Sequence, residues 1–235
     1  MSEIILRDIC KSYENGFQAV KNFNLEIEKG ELVVFVGPSG CGKSTTLRMI
    51  AGLEDISDGE LWIGDKLVNY LEPKERDLAM VFQSYALYPQ MNIYDNIAFS
   101  LQVRKVPKKE IDKKVHHVAE LLGLENLLKQ RPKNLSGGQR QALSMLMATL
   151  KRPELLLLDE HTAALDPKTS VALMELTDEF VTGDHLTALM ITHHMEDALK
   201  YGNRLIVMKD GQIIKDLTKE EKGQLDITDY YAMFE

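Results

Sequence analysis

One nine-residue stretch narrows the folds open to this chain of 235 residues more than any other. GPSGCGKST, Gly37 to Thr45, fits the pattern G-x-x-x-x-G-K-[ST]. It lies between an unbroken apolar run, LVVFV at 32–36, and the helix-like KSTTLRMIAGL. Glycines allow the main chain to wrap a phosphate, and the exposed amides at a helix N-terminus favour anions. In this reading Gly37, Pro38, Ser39, Gly40, Cys41, Gly42 and Thr45 form the cradle, Lys43 reaches the outer phosphates and Ser44 can ligate magnesium. A glycine-rich structural turn is the alternative, and the flanking strand and helix argue against it. Cys41 is then a loop residue rather than a catalyst.

A phosphate loop needs a parallel sheet behind it, and the rest of the chain supplies one. LLLL at 155–158 and TALMI at 187–191 are, like LVVFV, apolar without alternation, as expected of strands covered on both faces. EIILRDI (3–9) and FNLEIE (23–28) alternate like half-buried strands. ELWIGDKLV (60–68) reads as a hairpin turning at Gly64-Asp65, and KDGQ joins LIVM to IIK in another. The segment from about 85 to 134 lacks a buried strand, and KKEIDKKVHHVAELLGLENLLKQ has apolar residues at helical spacing, so it reads as a helical insertion. The predicted architecture is α/β: one domain over 1–235, with 1–84 and 140–235 as the core and 85–139 as a helical subdomain.

Charge and cysteine content exclude several classes. With 28 Lys and Arg against 36 Asp and Glu the net charge is -8, which argues against nucleic-acid binding or lipid insertion through bulk charge. No apolar run approaches the roughly 18 residues of a membrane span, and the polar start MSEIILRDICKSYENG is no signal peptide. A cytoplasmic location is expected, with membrane association only through a protein partner. Cys10 and Cys41 form neither a CxxC pair nor a Cys/His cluster, so no disulfide framework or zinc site is indicated.

The phosphate loop gives meaning to a second stretch, LLLLDEHTAALDP at 155–167. An apolar strand ending in an acid beside the loop strand supplies a carboxylate to the magnesium shell, the role expected of Asp159. Glu160 follows at once and can face the γ-phosphate to polarise the attacking water. LSGGQ, Leu135 to Gln139, heads a helix-like run and is a second anion cradle without a lysine, although a plain helix N-cap also explains it. Gln83, closing LAMVFQ, and His193, closing LMITH, are polar residues at strand ends, where an α/β site collects its ligands.

The ordered set Tyr13, GPSGCGKST, Gln83, LSGGQ, LLLLDE, AALD (163–166) and His193 resembles the ATP-binding subunits of ABC transporters, over essentially the whole chain. The resemblance implies that Tyr13 stacks on adenine, that Gly37 to Thr45 hold the phosphates, and that Ser44 and Gln83 bind magnesium. It implies that Asp159 acts on the metal through water, that Glu160 is the catalytic carboxylate, and that His193 contacts the γ-phosphate. Ser136, Gly137, Gly138 and Gln139 would complete the site of an opposite subunit in a head-to-tail dimer with ATP sandwiched between. Such a subunit drives a separate membrane permease, which would rest against Gln83 and the helical subdomain. Tyr85, Tyr88 and Tyr94 have the exposed look of a gripping surface, with core packing as the alternative. The basic run RKVPKKEIDKK (104–114) reads as a solvated helix face.

Within that family the first 141 residues resemble bacterial sugar importers, whereas RQALSMLMATL and DEHTAALDP look more like a second set of import ATPases. The chain also stops at Glu235, without the regulatory domain usual in sugar-type subunits. Mixed parentage joined near the signature is the resulting expectation. The expected function is MgATP hydrolysis powering an importer; a non-transport ABC-type ATPase, or an engineered chimera without a native permease, is the alternative. His161 stands where most of the family has proline, and is expected to support the site or mark the branch rather than catalyse.

Overall fold

The structure is a computed structural model and describes residues 2–83, 86–150, 153–183 and 185–234. In chain order the strands and helices are β1 (Ser2–Ser12), β2 (Gln18–Glu28), β3 (Leu32–Val36), α1 (Lys43–Ala51), β4 (Asp58–Ile63), β5 (Lys66–Leu67), β6 (Leu78–Val81), α2 (Ile93–Val103) and α3 (Lys108–Leu122). They continue with α4 (Gly137–Thr149), β7 (Leu155–Asp159), α5 (Pro167–Gly183), β8 (Thr187–Ile191), α6 (Met195–Lys200), β9 (Arg204–Lys209), β10 (Gln212–Thr218), α7 (Lys219–Lys222) and α8 (Ile227–Ala232).

Two sheets result. A four-stranded antiparallel sheet has the order β2-β1-β4-β5, and a six-stranded sheet the order β10-β9-β3-β8-β7-β6. In the larger sheet every pairing is parallel except that of the edge strand β10. The expected hairpins at 60–68 and around KDGQ are β4-β5 and β9-β10.

The apolar runs that showed no alternation in sequence nevertheless sort by period two in space, because successive side chains leave a strand on opposite faces. Val33, Phe35, Leu155, Leu157, Leu189 and Ile191 join α1 and the antiparallel sheet in one core. Leu32, Val34, Val36, Leu156, Leu158 and Met190 join Leu173 and Met174 of α5 in a second. Each fully buried Leu or Val contributes about 1.5–3 kcal/mol of transfer free energy.

A third core lies inside the insertion, where Ile93, Ile97 and Leu101 of α2 meet Ile111, Val115 and Val118 of α3. The helical stretch expected to run on to about residue 130 stops at Leu122, because Gly123 takes a left-handed φ of 62° and its N–H bonds Ala119 O and Glu120 O. α4 contributes to two cores at once: Leu143 and Leu146 face the insertion, Met145 the larger sheet. Buried Arg76 finishes α1, donating through Nη1 to the carbonyls of Met49 and Ile50 (2.8 and 2.9 Å), the last-turn acceptors a helix leaves unpaired.

Candidate nucleotide site

Parallel pairing places the C-terminal ends of β3, β8 and β7 side by side, so whatever follows them in sequence converges. After β3 comes the loop 37–42 and then α1; after β7, Glu160; after β8, Thr192 and His193. Together they border a cleft of about 330 Å³ lined by Tyr13, Phe17, Ala19, Ser39, Gly40, Gly42, Lys43, Ser44, Thr45, Glu160 and His193.

α1 begins at Gly42 with no side-chain cap, leaving its first-turn amides for an outside acceptor. Only glycine fits at this position, for φ is 100° and a Cβ would stand 2.4 Å from Ala19 O. Lys43 is 4% exposed, and its Nζ donates to Gly37 O (2.8 Å) and Pro38 O (3.0 Å), two neutral carbonyls of its own loop. Its charge is thus held at the loop by weak acceptors, a poor match for an ammonium compared with phosphate oxygen. Cys41 is buried, its Sγ 3.6 Å from Lys43 Nζ.

The Ser44 hydroxyl donates to Asp159 Oδ1 at 2.9 Å, joining the phosphate loop to the end of β7. Burial holds the Asp159 carboxyl above the usual carboxylate range, Ser44 opposes this, and the neighbouring Glu160 adds to it. A half-buried, oxygen-only pair of this kind suits magnesium, which keeps waters and shares phosphate oxygens rather than occupying an all-protein cage. Among the described residues no group of three or more His, Cys, Asp and Glu is arranged to hold an ion. The oxygen pair of Ser44 and Asp159 fits a cation that arrives with phosphate.

Glu160 departs from ordinary backbone geometry. Its φ is 49°, a left-handed conformation uncommon outside glycine and asparagine, and its N–H donates to Ile191 O (3.1 Å). The sharp turn carries its carboxylate to His193, with Glu160 Oε1 and His193 Nε2 2.5 Å apart. These are the two residues that the sequence placed at the γ-phosphate.

Tyr13 lies at the cleft mouth with its ring 12° from parallel to that of Phe17, centroids 6.4 Å apart, and Lys11 Nζ 5.1 Å from its own centroid. Phe17 escaped the sequence reading; an aromatic four residues past Tyr13, beyond the turn at Gly16, was the available signal.

Other expected residues lie elsewhere. Gln83 is exposed, two residues past the end of β6, and does not line the cleft, because it sits on the loop leaving for the insertion. Residues 136–139 are also outside it. Ser136 caps α4, accepting from Gln139 N (3.1 Å), while Gln139 Oε1 accepts from Ser136 N (3.0 Å). The N-cap explanation of LSGGQ is thus correct as local structure, and it leaves the exposed serine at the tip of a helix. Gly138 packs so closely on α5 that a Cβ would stand 2.1 Å from Thr169 Cγ2.

Three aromatics expected to be exposed differ in fate. Tyr94 is held inward, its hydroxyl donating to Asp112, and that bond pushes its pKa up to about 12. Tyr88 is 38% exposed and packs on Phe99. Tyr85 lies outside the described residues. His161 points away from the cleft into the core, where it is 3% exposed.

The family profile described as "ABC transporter" matches residues 20–163, more than half of the chain. The chain belongs to the ABC transporter family. It is 49% identical over 213 residues to the sn-glycerol-3-phosphate import ATP-binding protein of Psychromonas ingrahamii, covering 91% of this chain and 57% of that protein. It is 49% identical to the oligosaccharides import ATP-binding protein of Bacillus subtilis, with 91% and 58% covered. Against the trehalose/maltose import ATP-binding protein of Thermococcus litoralis the identity is 46%, with 90% and 58% covered. The chain thus spans a little under three fifths of the length of these relatives. These matches run through residue 141 and do not show mixed parentage.

Among solved structures, a dimeric bacterial ABC transporter cassette, MJ0796, superposes with a TM-score of 0.83 at 32% identity, covering 92% of this chain and 98% of that one. The same cassette in a dimeric post-hydrolysis state bound to ADP and Pi gives a TM-score of 0.80 at 31% identity, with the same coverage. The fold is that of an ABC cassette, an α/β phosphate-loop architecture with an antiparallel sheet and a helical insertion.

Proposed function

We propose that this ABC chain binds and hydrolyses MgATP as the energising subunit of a bacterial importer, working at the cytoplasmic face of a membrane permease. The observation that carries this reading is the convergence on one cleft of Lys43, the Ser44–Asp159 bond and the Glu160–His193 pair.

The adenine would rest on Tyr13 at the mouth, and the phosphates on the amides of residues 39–45 with Lys43 on the outer two. Ser44 and Asp159 would hold magnesium, which supplies Lewis-acid charge at the phosphate oxygens, and Gln83 would join them only if its loop moved in over the bound nucleotide. Glu160 takes the role of base or water-positioning group, at the turn that opens towards the cleft. His193 orients that carboxylate and reaches the γ-phosphate, so that the two act as a unit.

The serine-headed helix α4 leaves its own cleft untouched, which supports a head-to-tail dimer in which Ser136, Gly137, Gly138 and Gln139 close over the partner's ATP. ATP is then the glue, and its hydrolysis releases the pair. Gln83 stands where the chain enters the helical subdomain (85–139), the surface that would meet the permease. The imported solute would belong to the oligosaccharide or polyol-phosphate class of the relatives. No described helix is long and apolar enough to cross a membrane.

The test is ATP turnover together with oligomeric size, for the chain as it stands and for Glu160→Gln. We expect the substitution to lower kcat by at least about a hundredfold while leaving an ATP-stabilised dimer visible by light scattering. Turnover unchanged in Glu160→Gln would overturn the assignment.

A further inference from the structure

We infer that His161 and Thr177 are positioning residues for Glu160, forming a buried tether that fixes the turn on which its carboxylate stands. The inference rests on the assignment of Glu160 as the catalytic carboxylate.

Three observations carry it. First, Glu160 has a φ of 49°, a conformation that persists in a residue with a side chain only where the surroundings over-determine it. Second, the next residue is anchored. His161 is 3% exposed, and its Nε2 lies 3.1 Å from Oγ1 of Thr177, itself 1% exposed in the middle of α5. Third, the direction of that bond is fixed. The Thr177 hydroxyl donates to Leu173 O (2.8 Å), so its oxygen accepts and His161 Nε2–H is the donor. The imidazole is therefore held as one tautomer, in one orientation.

The geometry that depends on this anchor is exacting. Glu160 Oε1 meets His193 Nε2 at 2.5 Å, and among the described residues the main-chain bonds of Glu160 in this turn are Glu160 N to Ile191 O and Ala163 N to Glu160 O. Rotation about the N–Cα bond of Glu160 would swing its carboxylate, together with the peptide that joins it to His161, without breaking the first of these bonds. A side chain locked into α5 immediately after that peptide opposes the rotation. Neither His161 nor Thr177 lines the cleft, so neither can act by touching nucleotide.

A pair that served only core stability would behave differently from one that aims a carboxylate. The experiment measures kcat and KM for MgATP separately in the 235-residue chain, with thermal unfolding as the control on folding. Thr177→Val keeps the shape of the side chain and removes the acceptor, and His161→Phe removes the donor. Each should lower kcat about tenfold with KM little changed at a temperature where the variant remains fully folded, since small misplacements of reacting groups act on rate. Combining them should cost no more than either alone, because one bond is lost in all three variants. Thr177→Ser and His161→Gln retain an acceptor and a donor respectively, and each should recover turnover to within about threefold of the unaltered chain.

Normal kcat in Thr177→Val would overturn the proposal, as would a loss explained by lowered melting temperature or raised KM. Glu160→Gln separates the two levels of the argument. If it turns over normally, the assignment of Glu160 falls and the tether with it. If it is inactive while Thr177→Val is not, the tether alone falls.

Discussion

His161 shows how much a single buried side chain can decide. Burial holds its pKa down to about 4 from 6.5, so the folded protein keeps it neutral throughout the physiological range. Between those two values the unfolded chain binds a proton that the folded chain refuses. Stability is therefore lost as pH falls from about 6.5 to about 4, by up to about 3 kcal/mol, and is unaffected by this group above that window. Urea denaturation at pH 7.5 and near pH 5 should show a smaller drop for His161→Gln than for the parent chain. An equal drop in both would remove the histidine from the account. At this scale the sequence was legible where chemistry dictates residue type. Lys43, Ser44, Asp159, Glu160 and His193 stand together or in direct contact, as their places in the phosphate loop and at strand ends, with the family resemblance, implied. It was illegible where a partner is chosen by packing: nothing in DEHTAALDP announces that its histidine bonds a threonine sixteen residues on, or that Phe17 would share the cleft with Tyr13.

Among elements, the contact of α4 with α5 is the tightest constraint. Gly138 lies against Thr169 with no room for a Cβ, and Thr169 is itself fixed by bonds to Asp166, its N–H to Oδ1 (3.1 Å) and its hydroxyl to Oδ2 (2.6 Å). Gly138→Ala should lower stability by about 1–3 kcal/mol, the usual cost of overpacking. Adding Thr169→Ser deletes the methyl group that clashes and should return most of the loss, which chemical denaturation of the single and double variants will show. Strand and helix identities were legible because the apolar runs and the helical spacing are strong signals. The end of α3 at Leu122 was not, since Gly123 stops a helix by adopting left-handed φ while the apolar pattern runs on through LGLENLL.

For the molecule as a whole, the nucleotide should act as a structural component. Ligand that binds only the folded state adds stability as RT ln(1 + [L]/Kd), about 2.7 kcal/mol at a hundredfold excess over Kd. MgATP should accordingly raise the melting temperature of Glu160→Gln by several degrees. Adding Lys43→Ala to that background should abolish the shift, and a shift that survived would separate Lys43 from the phosphates. The doubly covered sheet behind the cleft was legible from three apolar strands. The placement of LSGGQ outside its own cleft was expected from the family resemblance alone, because local pattern says which residues cap a helix and nothing of where that helix points.

α4 belongs to two cores, gripped by the sheet through Met145 and by the insertion through Leu143 and Leu146, while its first turn rests on α5 only through Gly138 and the Ser136 cap at its tip is exposed. Mechanically this is a cantilever. From Leu143 to the Ser136 cap is about 10 Å of helix, so a tilt of roughly 10° at the gripped residues sweeps the serine through about 2 Å, enough to make or break a hydrogen bond. Small rearrangements where the insertion joins the sheet would thus be magnified at the tip into making or breaking contact with a neighbouring molecule.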